Sequence, residues 1–119
     1  MDLMKFKHML QENVIASMLD YMGEDEEDVG FGRDDVDKCG ALLNGYLEAL
    51  ATMEDVSDEA IMAEVQRAVL ALNELNEATD YCLIETGERE AIWEVIQLAA
   101  IERGLKNAAE DITEEWRDW

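Results

Sequence analysis

The chain has 119 residues, 49% of them apolar, and its thirty Asp and Glu residues against nine Lys and Arg set a formal charge of −21 at pH 7. A surface so acidic repels nucleic acid and anionic membranes, because binding either one requires Lys and Arg to displace condensed counterions. The apolar half of the chain nevertheless excludes disorder, and a chain of this length buries most of its unfolded surface as one domain, residues 1–119.

With seven glycines and no proline, the composition leans toward helices joined by glycine-marked turns, and periodicity agrees. Over residues 3–22, Leu3, Phe6, Leu10, Val14, Met18 and Tyr21 recur at three- and four-residue steps behind Asp2 as N-cap. An acidic loop, residues 23–33, separates this helix from a second. The second starts at about Asp34, is capped by Asp34 or Asp35, and lines one face with Val36, Cys39, Leu43, Leu47 and Leu50. The third has the clearest start: Ser57 as N-cap, Asp58 and Glu59 in the first turn, and Val56 and Ile61 at the spacing of a hydrophobic staple. Its stripe of Ile61, Val65, Ala68, Leu72 and Leu75 alternates steps of four and three, as an antiparallel seam requires.

A break between about Thr79 and Gly87 precedes the fourth helix, EREAIWEVIQLAAIERG, which ends at Gly104 as a C′ residue. Ile92, Trp93, Val95, Ile96, Leu98, Ala99, Ala100 and Ile101 leave it only a narrow polar stripe at Glu90, Glu94 and Gln97. A helix apolar over most of its circumference either sits centrally in the fold or is shared with a second subunit, so a homodimer through the Ile92–Ile101 helix stands beside the central placement. ITEEWRDW reads as a short terminal helix capped by Thr113, with Ile112, Trp116 and Trp119 on one face. The expected fold is all-α: an antiparallel bundle of four main helices plus a short C-terminal one. Ile61, Val65, Leu72, Trp93 and Ile96 are expected in its core.

The charge is unevenly spread. Residues 1–22 hold three acids and two lysines, whereas residues 24–37, EDEEDVGFGRDDVD, hold eight acids and only Arg33. The last ten residues add five acids and Arg117. Local compensation is sparse, with Glu85–Arg89 and Glu102–Lys106 as the favourable i,i+4 pairs. Cys39 and Cys82 lie amid apolar residues and read as buried free thiols. There is no membrane-length apolar run, and MDLMKFKHML lacks the regions of a secretory signal, so the chain reads as cytoplasmic.

Motifs of enzymatic chemistry fail one by one. A single histidine, His8, shares a face with Met4, Ile15 and Leu19, and no Glu-x-x-His pair exists, so the bundle di-metal arrangement lacks its ligands. Gly30 and Gly32 follow no strand and precede no Gly-Lys-Ser/Thr, which removes nucleotide binding. As a calcium loop, Asp25 at position 1 puts Glu27 at 3 and Gly30 at 6, but Val29 then falls at 5 and Val36 at 12, where oxygen ligands are required. Neither catalytic residues nor a cofactor are expected.

What remains is recognition of a cationic protein. A dense carboxylate run imitates the charge spacing of a nucleic acid, and a nuclease or other basic protein would be drawn to it at high rate. Glu24, Asp25, Glu26, Glu27, Asp28, Asp34 and Asp35 form that expected docking surface, with Trp116 and Trp119 as aromatic anchors or, alternatively, as lids on the core. LNELNEATDYCLIETGEREAIWEVI and ITEEWRDW resemble small acidic all-helical bacterial proteins of uncharacterised function, and in general character the chain is similar to immunity proteins that neutralise toxins. The resemblance implies a non-enzymatic, immunity-type or inhibitory partner of a basic protein and assigns no role to any single residue. The alternatives are a structural or oligomeric adaptor whose acidity only solubilises it, and an adaptation to high salt.

Overall fold

Asp2 opens the first helix as the sequence requires, its carboxylate accepting Lys5 N–H at 3.1 Å. The computed structural model describes residues 1–23 and 29–119. Its helices are α1 (Leu3–Leu10), α2 (Ala16–Met22), α3 (Arg33–Thr52), α4 (Asp58–Ala78) and α5 (Thr86–Arg103), with a π-helical stretch, Gln11–Ile15, joining α1 to α2. The residues at both junctions are helical, so α1, the π stretch and α2 run on as one rod. The structure is all-α, with no strand among the described residues.

The π stretch corrects the expected stripe. Phe6, Leu10, Val14 and Met18 are buried, but the series continues to Met22, and Tyr21 stands 57% exposed. Steps of four drift around an ordinary α-helix by about 40° each; the wider π turn takes back part of that drift and keeps Met22 on the core face. The start of α3 is also shifted. Gly32 is the N-cap; Asp35, three residues on, accepts Gly32 N–H at 2.9 Å and donates its own N–H to Gly32 O at 3.1 Å. Neither Asp34 nor Asp35 occupies the cap itself.

Ser57 caps α4 as expected, its hydroxyl accepting Ala60 N–H at 3.2 Å. Val56 stays 40% exposed, so no staple covers it. Gly104, at φ 131°, ends α5: its N–H donates to Ile101 O at 3.1 Å and Leu105 N–H to Ala100 O at 3.0 Å, the Schellman arrangement that a glycine with positive φ makes cheap. Residues 112–116 turn where a short helix was expected. Asp111, rather than Thr113, organises them, accepting Thr113 N–H at 2.9 Å and its hydroxyl at 2.6 Å.

The core gathers Phe6, Leu10 and Val14 with Leu43, Tyr46 and Leu47 of α3, Ile61, Val65 and Leu72 of α4, and Ile92, Val95 and Ile96 of α5. Tyr46, wholly buried, donates its hydroxyl to Ile96 O at 2.8 Å and so ties α3 to α5. Trp93 is the exception among the expected core residues: it is half-buried, its indole N–H bound to Gln97 Oε1 at 2.8 Å. Arg103 reaches back to the carbonyls of Leu50 and Met53 at the C-terminus of α3, where a cation offsets the helix dipole. The radius of gyration is 14.0 Å, close to the roughly 13.5 Å of a compact chain this long.

Candidate functional site

Of the residues expected to dock a partner, Glu24, Asp25, Glu26, Glu27 and Asp28 lie outside the described residues. Asp34 is exposed in the first turn of α3, and Asp35 is half-buried, with one carboxylate oxygen committed to Gly32 N–H. The chain re-enters the described structure at Val29. Gly30, at φ 85°, presses against Cys82: a Cβ built there would stand 2.7 Å from Cys82 Sγ, a distance no real contact tolerates. Its glycine is therefore a close-approach requirement between two connections of the fold. Next to it Phe31 is buried, and Tyr21 stacks on its ring at a centroid distance of 6.4 Å.

The connection on the far side of that contact is built with unusual backbone geometry. At the end of α4, Asp80 N–H donates to Glu77 O at 3.0 Å and Tyr81 N–H to Asn76 O at 2.7 Å, again a Schellman pattern. Here no glycine supplies the positive φ: Asp80 stands at 56° and Tyr81 at 63°. Left-handed backbone in ordinary residues is costly and persists only where the surroundings over-determine it. They do so through two buried polar side chains. Asn76 Oδ1 accepts Ile84 N–H at 3.0 Å, and the Thr79 hydroxyl accepts Leu83 N–H at 3.3 Å while donating to Asn76 O at 2.9 Å. The result presents Tyr81, 53% exposed, to solvent.

The tryptophans are tied inward. Trp116 and Trp119 are half-buried and pack against the core. Asn73 of α4 holds the segment between them, donating to Trp116 O at 2.7 Å and accepting Asp118 N–H at 3.1 Å. The Arg117 guanidinium lies 5.5 Å from the Trp119 ring centroid and pairs with Asp111 at 3.2 Å. Trp119 Nε1 is the one fully buried side-chain polar atom without a partner among the described residues. Gln97 completes the docking: its Oε1 accepts Trp93 Nε1–H and Ile112 N–H, and its Nε2 donates to Glu110 O at 3.2 Å. A cleft of about 230 Å³ opens beside this tail between Arg89, Trp93, Asp111, Glu114 and Arg117.

Charge pairing is thin. Among the described residues the ion pairs are Lys5–Glu102, Lys7–Glu48, Arg67–Glu64 and Arg117–Asp111. Glu102 thus bonds across to Lys5 of α1 at 2.7 Å, and Lys106, expected as its i,i+4 partner, lies beyond the end of α5. The Lys5 ammonium, with Asp2 N–H, holds the Glu102 carboxyl below the usual carboxylate range. Backbone N–H groups of Lys106 and Asn107 do the same for Asp58, which thereby fastens the segment after α5 to the start of α4. The remaining acids stand mostly in solvent.

On α5, Ile92, Val95, Ile96, Ala99 and Ala100 are buried within the chain, while Leu98 and Ile101 remain 40% and 44% exposed. These two, with Phe6, Met9 and the Lys5–Glu102 pair, line an apolar groove of about 320 Å³ between α1 and α5. Cys39 is wholly buried, its thiol pushed up to about 12 by burial, and Cys82 is half-buried; both are free. No three His, Cys, Asp or Glu side chains converge on a common point among the described residues, and no helix of the described residues is long and apolar enough to cross a membrane. Compared with protein-family models, curated proteins and solved structures, the chain matches none of them.

Proposed function

We propose that this is a non-enzymatic binding protein whose acidic surface captures a basic protein, in the manner of an immunity-type or inhibitory partner of a toxin or nuclease. The observation that carries the reading is the imbalance between charge and pairing: at a net −21, most of the acids in the described residues have no cationic partner within the fold. Self-repulsion of that kind costs stability. A cationic partner relieves it and is steered in at high rate by the same field.

The scaffold proposed for this role is a single domain folded as an antiparallel four-helix bundle. Support comes from contacts that pair early with late positions: Lys7 with Glu48, Lys5 with Glu102, and Ile15 against Gly40. Free Cys39 and Cys82 favour work in the reducing cytoplasm. The test is retention of native-cell proteins on the immobilised chain: one basic protein should bind stoichiometrically at physiological ionic strength and elute with salt. Retention of neutral or acidic proteins alone, indifferent to salt, would overturn the reading.

The groove between α1 and α5 favours a second reading, an adaptor that self-associates through Leu98 and Ile101. Sedimentation separates the two. A dimer that strengthens with salt and is lost in Leu98→Glu belongs to the second reading; a monomer at all salt concentrations removes it.

A further inference from the structure

The tryptophans are not the aromatic side chains best placed to grip a partner. Tyr21 and Tyr81 are the two most exposed aromatics among the described residues, at 57% and 53%, and the segments that carry them meet. The path between them is short and physical. Tyr21 stacks on Phe31; Phe31 follows Gly30; Gly30 is pressed against Cys82; and Cys82 follows Tyr81.

The Tyr21 ring and the Tyr81 backbone are held rather than left loose. Tyr21 is turned outward by the π stretch that sends Met22 into the core, and its ring lies nearly parallel to Phe31, 14° between the planes. Tyr81 is the second of two successive left-handed residues, fixed from below by Asn76 and Thr79. Strain of this kind is kept where the geometry it produces is used. A ring held in its bound orientation loses little freedom on docking, which makes it a better anchor than a mobile side chain.

Charge selects the occupant. Asp20 precedes Tyr21, Asp80 precedes Tyr81, and Glu77 and Glu85 stand on either side of the same turn; all four are exposed. Arg89, four residues after Glu85, is the cation nearest in sequence, and neither it nor Arg33 forms an ion pair among the described residues. An exposed tyrosine flanked by carboxylates suits a guanidinium: the plane stacks on the ring while its N–H groups reach the acids, which a lysine ammonium does less well. A second copy of this chain would bring the same acids face to face.

We propose that Tyr21 and Tyr81, with Asp20, Asp80, Glu77 and Glu85, form the anchoring surface for an arginine-rich face of the basic partner. This rests on the reading above and refines it by naming the grip and the residue type gripped. The test titrates octa-arginine and octa-lysine of equal charge into the intact protein at physiological ionic strength, following the tyrosine ring resonances by NMR. Wild type should bind octa-arginine about three- to tenfold more tightly than octa-lysine, with Tyr21 and Tyr81 shifting and Trp116 unmoved.

In the double variant Tyr21→Ala with Tyr81→Ala, the preference should vanish while octa-lysine affinity persists; circular dichroism checks that the helices are intact, and the single Tyr81→Leu variant keeps bulk without an electron-rich ring. An arginine preference that survives the double variant, or tyrosine-dependent self-association without peptide, overturns the anchor assignment and leaves the acidic-partner reading standing. Failure of both peptides to bind overturns both.

Discussion

Replacing Asn76 with Ala attacks the turn that presents Tyr81 at its single most exposed weakness, a buried amide with one partner. Asn76 is 1% exposed, and its Oδ1 is the acceptor for Ile84 N–H at 3.0 Å. Truncation leaves that N–H buried beside Ile84, itself 6% exposed, without a partner, which costs about 1–3 kcal/mol. Alanine returns about 0.5 kcal/mol through better helix propensity, so the net loss is roughly 0.5–2.5 kcal/mol. Urea unfolding followed by far-UV circular dichroism should report this as a lower midpoint at unchanged slope, with Tm falling by roughly 2 °C or more. Thr79→Ala should act on the same turn through Leu83 N–H, and the two losses should not add, since both side chains brace the one turn through neighbouring amides. Amide exchange localises the effect: Ile84 N–H, protected in wild type, should exchange rapidly in Asn76→Ala. A midpoint within about 0.3 kcal/mol of wild type, or continued protection of Ile84, would mean the turn is held by something other than these two side chains.

The core and the charge give three further expectations. Leu72→Ala, at a position with no exposed surface, should cost about 2–5 kcal/mol, read by the same unfolding assay; a loss below about 1 kcal/mol would contradict its place at the centre of the core. Raising salt from about 0.1 M to about 1 M shortens the screening length from roughly 10 to 3 Å and should raise Tm, because repulsion among unpaired carboxylates is relieved; an unchanged or lower Tm would mean that the charges are already compensated. In acid the sign reverses for Asp58 and Glu102. Both carboxyls are held below their ordinary values of 3.8 and 4.5 by the hydrogen bonds they accept, so their contribution is present above that range and is lost as pH falls through the lowered values. Lys106 and Asn107 amides should therefore lose protection before the helices melt, and Asp58→Asn should remove that pH dependence; an identical acid transition in the variant would refute the assignment.

Much of this fold could be read from residue spacing because one physical rule dominated locally. The α4 start is legible since Ser57, Asp58 and Glu59 all favour the same cap, and the α5 end is legible since Gly104 takes a φ that suits glycine. Where two rules competed, the pattern misled. Tyr21 fits a core stripe on an unbroken α-helix, and only the π stretch, which no residue type announces, turns it outward. ITEEWRDW has helical spacing, but Asp111 captures Thr113 and Asn73 captures the backbone near Trp116 and Trp119, so it turns instead. Asp80 and Tyr81 carry no glycine or asparagine that would flag left-handed backbone; their conformation comes from Asn76 and Thr79 beneath them. The exposed tyrosines were thus invisible to pattern, whereas the overall acidity that motivates them was the plainest feature of the chain.

The acidic surface is proposed to draw in a basic protein, and the ionic-strength dependence of the association rate tests this most directly. With the retained basic protein in hand, stopped-flow association should slow by about tenfold or more between low and physiological salt, and a variant with Asp20, Glu77, Asp80 and Glu85 changed to the corresponding amides should associate more slowly with a flatter dependence. A rate independent of salt, and equal in the two proteins, would contradict it.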